Sequence, residues 1–162
     1  MFMDVIDLRD FYASPRGQVA RRVLRNQLRT LWPSVNGETV LGLGYATPYL
    51  RPFLEDADQV LALMPAAQGV ESWPRDGRNR VALSQETEIP LPDLSVDKIL
   101  LVHAVETTEN LRGMLRECWR VLKGNGRMLL LVPNRHGLWS MADSTPFGQG
   151  HPFSRSQMTS LL

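Results

Sequence analysis

The chain has 162 residues, of which 43% are hydrophobic and 22% charged, with a formal net charge of +1. Such a composition excludes wholesale disorder, and the length suffices for one domain with a real core. The near-neutral charge gives no bulk attraction to nucleic acid or anionic lipid, no apolar run approaches the ~20 residues of a membrane span, and the single cysteine, Cys118, rules out an internal disulfide.

The opening Met1 to Asp7 is acidic and lacks an apolar core of signal-peptide length, so a cytoplasmic location is expected. A helical segment is predicted over about residues 1–33. Ser14-Pro15 marks a helix start, with the cap followed by proline at the first helical position. Val19, Val23, Leu24, Leu28 and Leu31 then give one apolar face, ending before Pro33. Arg16, Arg21, Arg22, Arg25 and Arg29 crowd the other surfaces. Without interleaved aromatics they read as a solvated face rather than a nucleic-acid site.

A sheet core is predicted over about 38–134. Thr39 to Gly44 is the first strand and ends in a glycine turn. Gln59 to Met64 is the second, closed by Pro65, and Val81 to Leu83 is a brief third. Pro65 to Arg80, rich in Pro, Gly and charge, reads as an irregular connection. Ile99 to Val102 is too apolar to alternate, as expected of a strand covered on both faces. Leu111, Met114, Leu115, Cys118, Trp119 and Leu122 recur at helical spacing, with Thr108 as cap, Glu109 in the first turn and Gly124 past the end. Met128 to Val132 is the last strand. Five strands separated by helices or loops imply a doubly wound, mostly parallel α/β sheet. Residues 135–162 form a terminal loop and helix, the helix opened by a capping box at Ser154 and Gln157.

The wording from Ile89 to Asn134 goes further than its topology. Pro92-Asp93, His103-Ala104-Val105-Glu106, Arg120-Val121-Leu122-Lys123-Gly124 and Val132-Pro133-Asn134 resemble the class I S-adenosylmethionine-dependent methyltransferases, in particular the small-molecule group. The resemblance implies a Rossmann-like sheet with the first strand between the second and fourth. It also implies S-adenosylmethionine as cofactor and in-line methyl transfer to a small molecule. The family's two terminal strands have no counterpart here, so the chain reads as a piece of a longer protein or as an incomplete sheet. Met128 to Val132 would then be an apolar edge, open to pairing with a partner or a second copy.

By the same resemblance the cofactor turn is Gly42, Gly44, Tyr45 and Ala46, followed by Met64 at the end of the second strand and Gln85 and Glu86 after the third. The family usually carries acids at the positions of Gly42 and Met64, and often one at that of Gln85. A charge-assisted hydrogen bond contributes ~1.5–3 kcal/mol, so a carboxylate at position 64 is expected to tighten cofactor binding. The departures make a non-catalytic relative, a binding or regulatory protein, the alternative reading. His103, at the end of the fourth strand, is a candidate base, a cofactor contact, or a histidine satisfied by local backbone. Asn134 orients substrate or makes a turn, and Glu106 reads as a helix-entry residue. Trp73 and Trp139 are lids or packing. His136 and His151 lack metal-ligand spacing, so no metal is expected.

Overall fold

A computed structural model describes residues 4–133, 146 and 154–161. The amino-terminal segment is two helices, α1 (Val5–Ala13) and α2 (Pro15–Leu31), joined at Ser14, which closes one and caps the other. Then come β1 (Thr39–Gly44), the short α3 (Thr47–Leu50) with a 3₁₀ turn at Arg51–Phe53, and β2 (Gln59–Pro65). β3 (Val81–Ser84), β4 (Val96–Val102), α4 (Leu111–Val121), β5 (Leu122–Leu131) and α5 (Arg155–Leu161) follow. Among these elements no helix is long and apolar enough to cross a membrane.

The strands form one sheet in the order β3-β2-β1-β4-β5, every neighbouring pair parallel. β1 lies centrally, as the resemblance implied. Leu41 stands opposite Leu61 and Ile99, and Leu43 opposite Leu63 and Leu101. Because side chains alternate along a strand, Val40, Ala62, Met64, Leu100 and Val102 enter a core under α1, α2 and α3. Leu41, Leu43, Leu63, Ile99 and Leu101 enter a second core under α4. Covering both faces is what removed polar alternation from the strands.

Several local expectations shift. α2 turns Gly17, Ala20 and Leu28 inward and leaves Val19, Val23 and Leu31 more than half exposed. The small residues decide this. A Cβ on Gly17 would lie 2.1 Å from the Phe11 carbonyl oxygen, so the corner with α1 closes only over glycine. Part of the arginine face is structural. Arg25 donates to the Pro48 carbonyl at 2.7 Å, and Arg29 pairs with Asp56 while lying over the Phe53 ring. α4 is capped by Asn110, whose oxygen accepts from the Gly113 N–H, so Thr108 and Glu109 precede the helix. Thr108 instead hydrogen-bonds Glu86. Trp119 faces outward, and the helix ends at Val121, before Gly124, which lies within β5. Cys118 is buried, and burial pushes its thiol up to about 12, as an inert core residue requires.

β5 is an edge of the sheet, and Val132 falls just past it. Met128, Leu130 and Val132 lean on one core, and Leu129 and Leu131 on the other, all half-buried. Among the described residues no strand pairs with its outer side. The capping box is present: the Ser154 N–H donates to Gln157 Oε1 and the Gln157 N–H to Ser154 Oγ.

A candidate ligand site at the carboxyl ends of the strands

The glycine turn after β1 is built by the sheet itself. Gly44 has φ +78°, and a Cβ there would stand 2.2 Å from the Val102 carbonyl oxygen. The next N–H, from Tyr45, donates to that same oxygen at 2.8 Å. The turn therefore fastens the end of β1 to the end of β4, which needs a residue without a side chain. Gly42 has a different task. A Cβ there would lie 2.6 Å from Leu50 Cδ1 and 2.7 Å from Ala46 Cβ, so the glycine lets α3 settle onto β1. Gly42, Ala46 and Met64 all lie inside the fold; Met64 is 1% exposed, in the core under α1 to α3.

Where β1, β2 and β4 end, Gly44, Pro65 and Ala104 border a cleft backed by Met114 and rimmed by Gln85 and Glu86, about 230 Å³ out to its open mouth. The rim is held by α4. Glu117 accepts from the Ile89 N–H at 2.9 Å, and Arg120 donates to the Ile89 and Leu91 carbonyls and to Asp93. The arginine holds the Glu117 carboxyl below its usual range.

Beside the cleft, on the α1 side, stands a buried polar chain. Tyr49 donates to the Tyr12 hydroxyl at 2.9 Å, Tyr12 lies 2.8 Å from His103 Nε2, and His103 Nδ1 lies 3.2 Å from Glu106 Oε1. With Tyr49 donating to it, Tyr12 turns its own proton toward Nε2, which leaves Nδ1–H to bond the Glu106 carboxylate. Burial pushes the Tyr12 phenol well above its ordinary value and that of Tyr49 up to about 12, so both are neutral donors. His103 adopts φ +50° and is 3% exposed. Gln68 donates to its carbonyl at 2.6 Å. Among the described residues, Glu106 Oε2 and Gln68 Oε1 are buried acceptors without a partner. Glu106 is thus not a helix-entry residue; it closes onto histidine before α4 begins.

The structure brings Gly44, Gln85 and Glu86 to the cleft, and Tyr45 and His103 to its flank, where both rings meet Tyr12. Asn134, His136, Trp139 and His151 lie outside the described residues. Tyr12, Tyr49 and Gln68 were not legible in the sequence, and neither was Glu71, which accepts from the Tyr45 hydroxyl at 2.6 Å. Each reaches the site from a helix or loop.

These surroundings fit part of S-adenosylmethionine well. Gly44, Pro65 and Met114 give the cleft an apolar wall against which a purine could lie, and the Gln85 and Glu86 side chains at its rim can accept from an amine. The rest of the cofactor would lie toward His103. Two carboxylates come in from loops, Glu71 onto the Tyr45 hydroxyl and Glu106 onto His103, and among the described residues Glu106 keeps a buried oxygen unpaired. That is a setting favourable to a cation.

Residues 40–130, more than half of the chain, match the family model described as a methyltransferase domain. A probable S-adenosylmethionine-dependent methyltransferase of Mycobacterium tuberculosis is 34% identical over 87 residues, which are 52% of this chain and 31% of that protein. The match thus spans about a third of the curated relative's length. Among solved structures, a SAM-dependent methyltransferase from Archaeoglobus fulgidus superposes with a TM-score of 0.67 at 20% identity, covering 87% of this chain and 66% of that one. A putative methyltransferase from Haloferax volcanii, solved in complex with the Trm112 methyltransferase activator, gives 0.69 at 18% identity, covering 99% and 75%. At these identities the structural likeness is one of fold.

Proposed function

Because the chain belongs to the class I S-adenosylmethionine-dependent methyltransferase family, we propose that it is a methyltransferase that seats its cofactor over the ends of β1, β2 and β3. The acceptor, a small molecule, then stands over the end of β4. The observation that carries this reading is the cleft at Gly44, Pro65 and Ala104 with the His103–Glu106 pair beside it.

When bound, the cofactor supplies an activated sulfonium methyl group, so the protein's part is to position, desolvate and take a proton. Gln85 and Glu86 hold the purine edge. Glu106 fixes the histidine tautomer and leaves Nε2 as the proton acceptor. It also steadies the positive charge that His103 gains on protonation, as a buried carboxylate does behind any general-base histidine. Asn134, after β5, orients the acceptor in this reading. The outer side of β5 is covered either by further strands of a longer protein or by another chain, the second being the case open to test on this chain. Sedimentation velocity should then show association rising with concentration, and a monomer at every concentration would remove that part.

Ser84 stands on the rim, partly exposed, and its hydroxyl bonds only to loop carbonyls. Ser84→Trp should therefore keep the fold and fill the purine slot. S-adenosylhomocysteine affinity, measured by calorimetry, should fall at least roughly tenfold, or ~1.4 kcal/mol. Unchanged affinity would place the cofactor elsewhere.

A further inference from the structure

Tyr12 is held in a manner that core packing does not require. Its ring stacks on Tyr45 at 5.8 Å with an interplanar angle of 16°, meets Tyr49 edge-on at 5.7 Å and lies 5.9 Å from the His103 ring. A buried tyrosine hydroxyl needs one hydrogen-bond partner. This one has Tyr49 donating to its oxygen and His103 Nε2 facing its proton, with Glu106 behind the imidazole. A phenol is therefore fixed by its face, its edge and its oxygen, and its proton is aimed at a general base. Those are the contacts that methylation of a phenol demands: the ring located, the oxygen oriented and a group ready to receive the proton.

The helix that delivers Tyr12 is short and is tied to the rest of the fold at its two ends. α1 has nine residues, buries only Leu8 and Tyr12, and meets α2 at Ser14, an extended residue that ends one helix and caps the other. Its far end is held to the loop after β2 by the bond from the Val5 N–H to the Gln68 carbonyl.

We propose that the slot filled by Tyr12 is the acceptor site, that the acceptor is a phenol or a similarly flat hydroxylated ring, and that α1 guards the slot until such a ring displaces Tyr12. The proposal rests on the methyltransferase reading above. In the reaction the phenolic proton passes to His103 Nε2 and an oxygen lone pair forms the new O–CH3 bond. The S–CH3 bond breaks with its electron pair kept by sulfur, so a neutral sulfide leaves and the positive charge ends on the imidazolium.

The test uses the full chain, with p-cresol as probe and toluene as its control, both titrated by ligand-observed NMR. Tyr12→Ala should bind p-cresol at least about tenfold more tightly than wild type, and about fivefold more tightly than it binds toluene. That preference for the hydroxyl should vanish in Tyr12→Ala/His103→Leu. With S-adenosylmethionine, Tyr12→Ala should yield 4-methylanisole and one equivalent of S-adenosylhomocysteine. Equal binding of p-cresol and toluene, or a preference that survives loss of His103, overturns the proposal. So does p-cresol binding without methylation in protein shown by calorimetry to bind S-adenosylhomocysteine. Tighter S-adenosylhomocysteine binding by Tyr12→Ala with no recognition of p-cresol would assign the slot to the cofactor instead. If Tyr12→Ala fails to fold by circular dichroism, Tyr12→Phe keeps the ring and drops the bond to His103. It should still raise p-cresol affinity several-fold, and no rise overturns the proposal. Failure of S-adenosylhomocysteine to bind any form would sink the methyltransferase reading, while the p-cresol and toluene comparison, which needs no cofactor, still decides the slot.

Discussion

Gly42→Asp is expected to cost the chain most of its stability, and Met64→Asp to do the same by another route. These substitutions introduce acids at the two positions where the family resemblance implies them, so a reading from that resemblance alone expects them to improve cofactor binding. The geometry says otherwise. At position 42 even the first side-chain carbon would stand 2.6 Å from Leu50 Cδ1 and 2.7 Å from Ala46 Cβ, and Leu50 and Ala46 are themselves fully buried. The chain must move α3 off β1 or bury a carboxylate with no partner. At position 64 the acid would replace a core methionine among Tyr12, Tyr49 and Val102. Isolating a charge in such surroundings costs ~3–5 kcal/mol after relaxation, and loss of the methionine adds ~2–5 kcal/mol. Domains of this kind have only ~5–15 kcal/mol in total. Urea unfolding followed by circular dichroism should show both variants with strongly lowered midpoints or no folded baseline. A midpoint equal to wild type would mean that the new carboxylate reaches solvent or ligand, and the acid's absence would need another cause.

His103→Asn should lower the rate of methyl transfer by ~10²–10⁴-fold, the usual contribution of a positioned general base, which is ~3–5 kcal/mol of barrier. Asparagine is chosen because the residue sits at φ +50°, where most side chains are strained and asparagine is tolerated. Glu106→Gln should cost less, about tenfold. The amide oxygen still accepts from Nδ1, but no charge remains to steady the imidazolium. Initial rates of S-adenosylhomocysteine release, with an acceptor that the chain turns over, give the comparison. S-adenosylhomocysteine affinity should change little in either variant. A His103→Asn enzyme with near wild-type kcat would return His103 to a packing role.

The sheet was legible because its strands are buried on both faces and carry unbroken apolar runs, and because Ile99 to Val102, α4 and Met128 to Leu131 follow one another at crossover spacing. Errors came where a small residue or a loop contact outweighed local pattern. Gly17 and Ala20 rotated α2 away from the face marked by Val19 and Val23. Asn110 displaced Thr108 as the cap of α4 because Thr108 is engaged with Glu86. In the site, strand-end positions such as Gly44 and His103 could be found by counting along the motif. Tyr12 and Tyr49 could not, since Tyr12 meets His103 from 91 positions away along the chain and Tyr49 meets Tyr12 from 37. Only the meeting of α1 and α3 over the face of the central strands creates the contact. Glu71 and Glu106 escaped for a related reason: a carboxylate's role depends on what faces it, and pattern places acids only where the family usually keeps them.

Calorimetric titration of S-adenosylhomocysteine into the wild-type chain tests the central claim most directly. One saturable site per chain is expected, with a negative heat-capacity change from burying the purine. It should persist with Gly42 and Met64 in place of acids, because Glu86 stands on the rim of the cleft and Glu71 and Glu106 bond to Tyr45 and His103 at its flank. No detectable binding at millimolar ligand would contradict the account and leave a methyltransferase fold that serves another purpose.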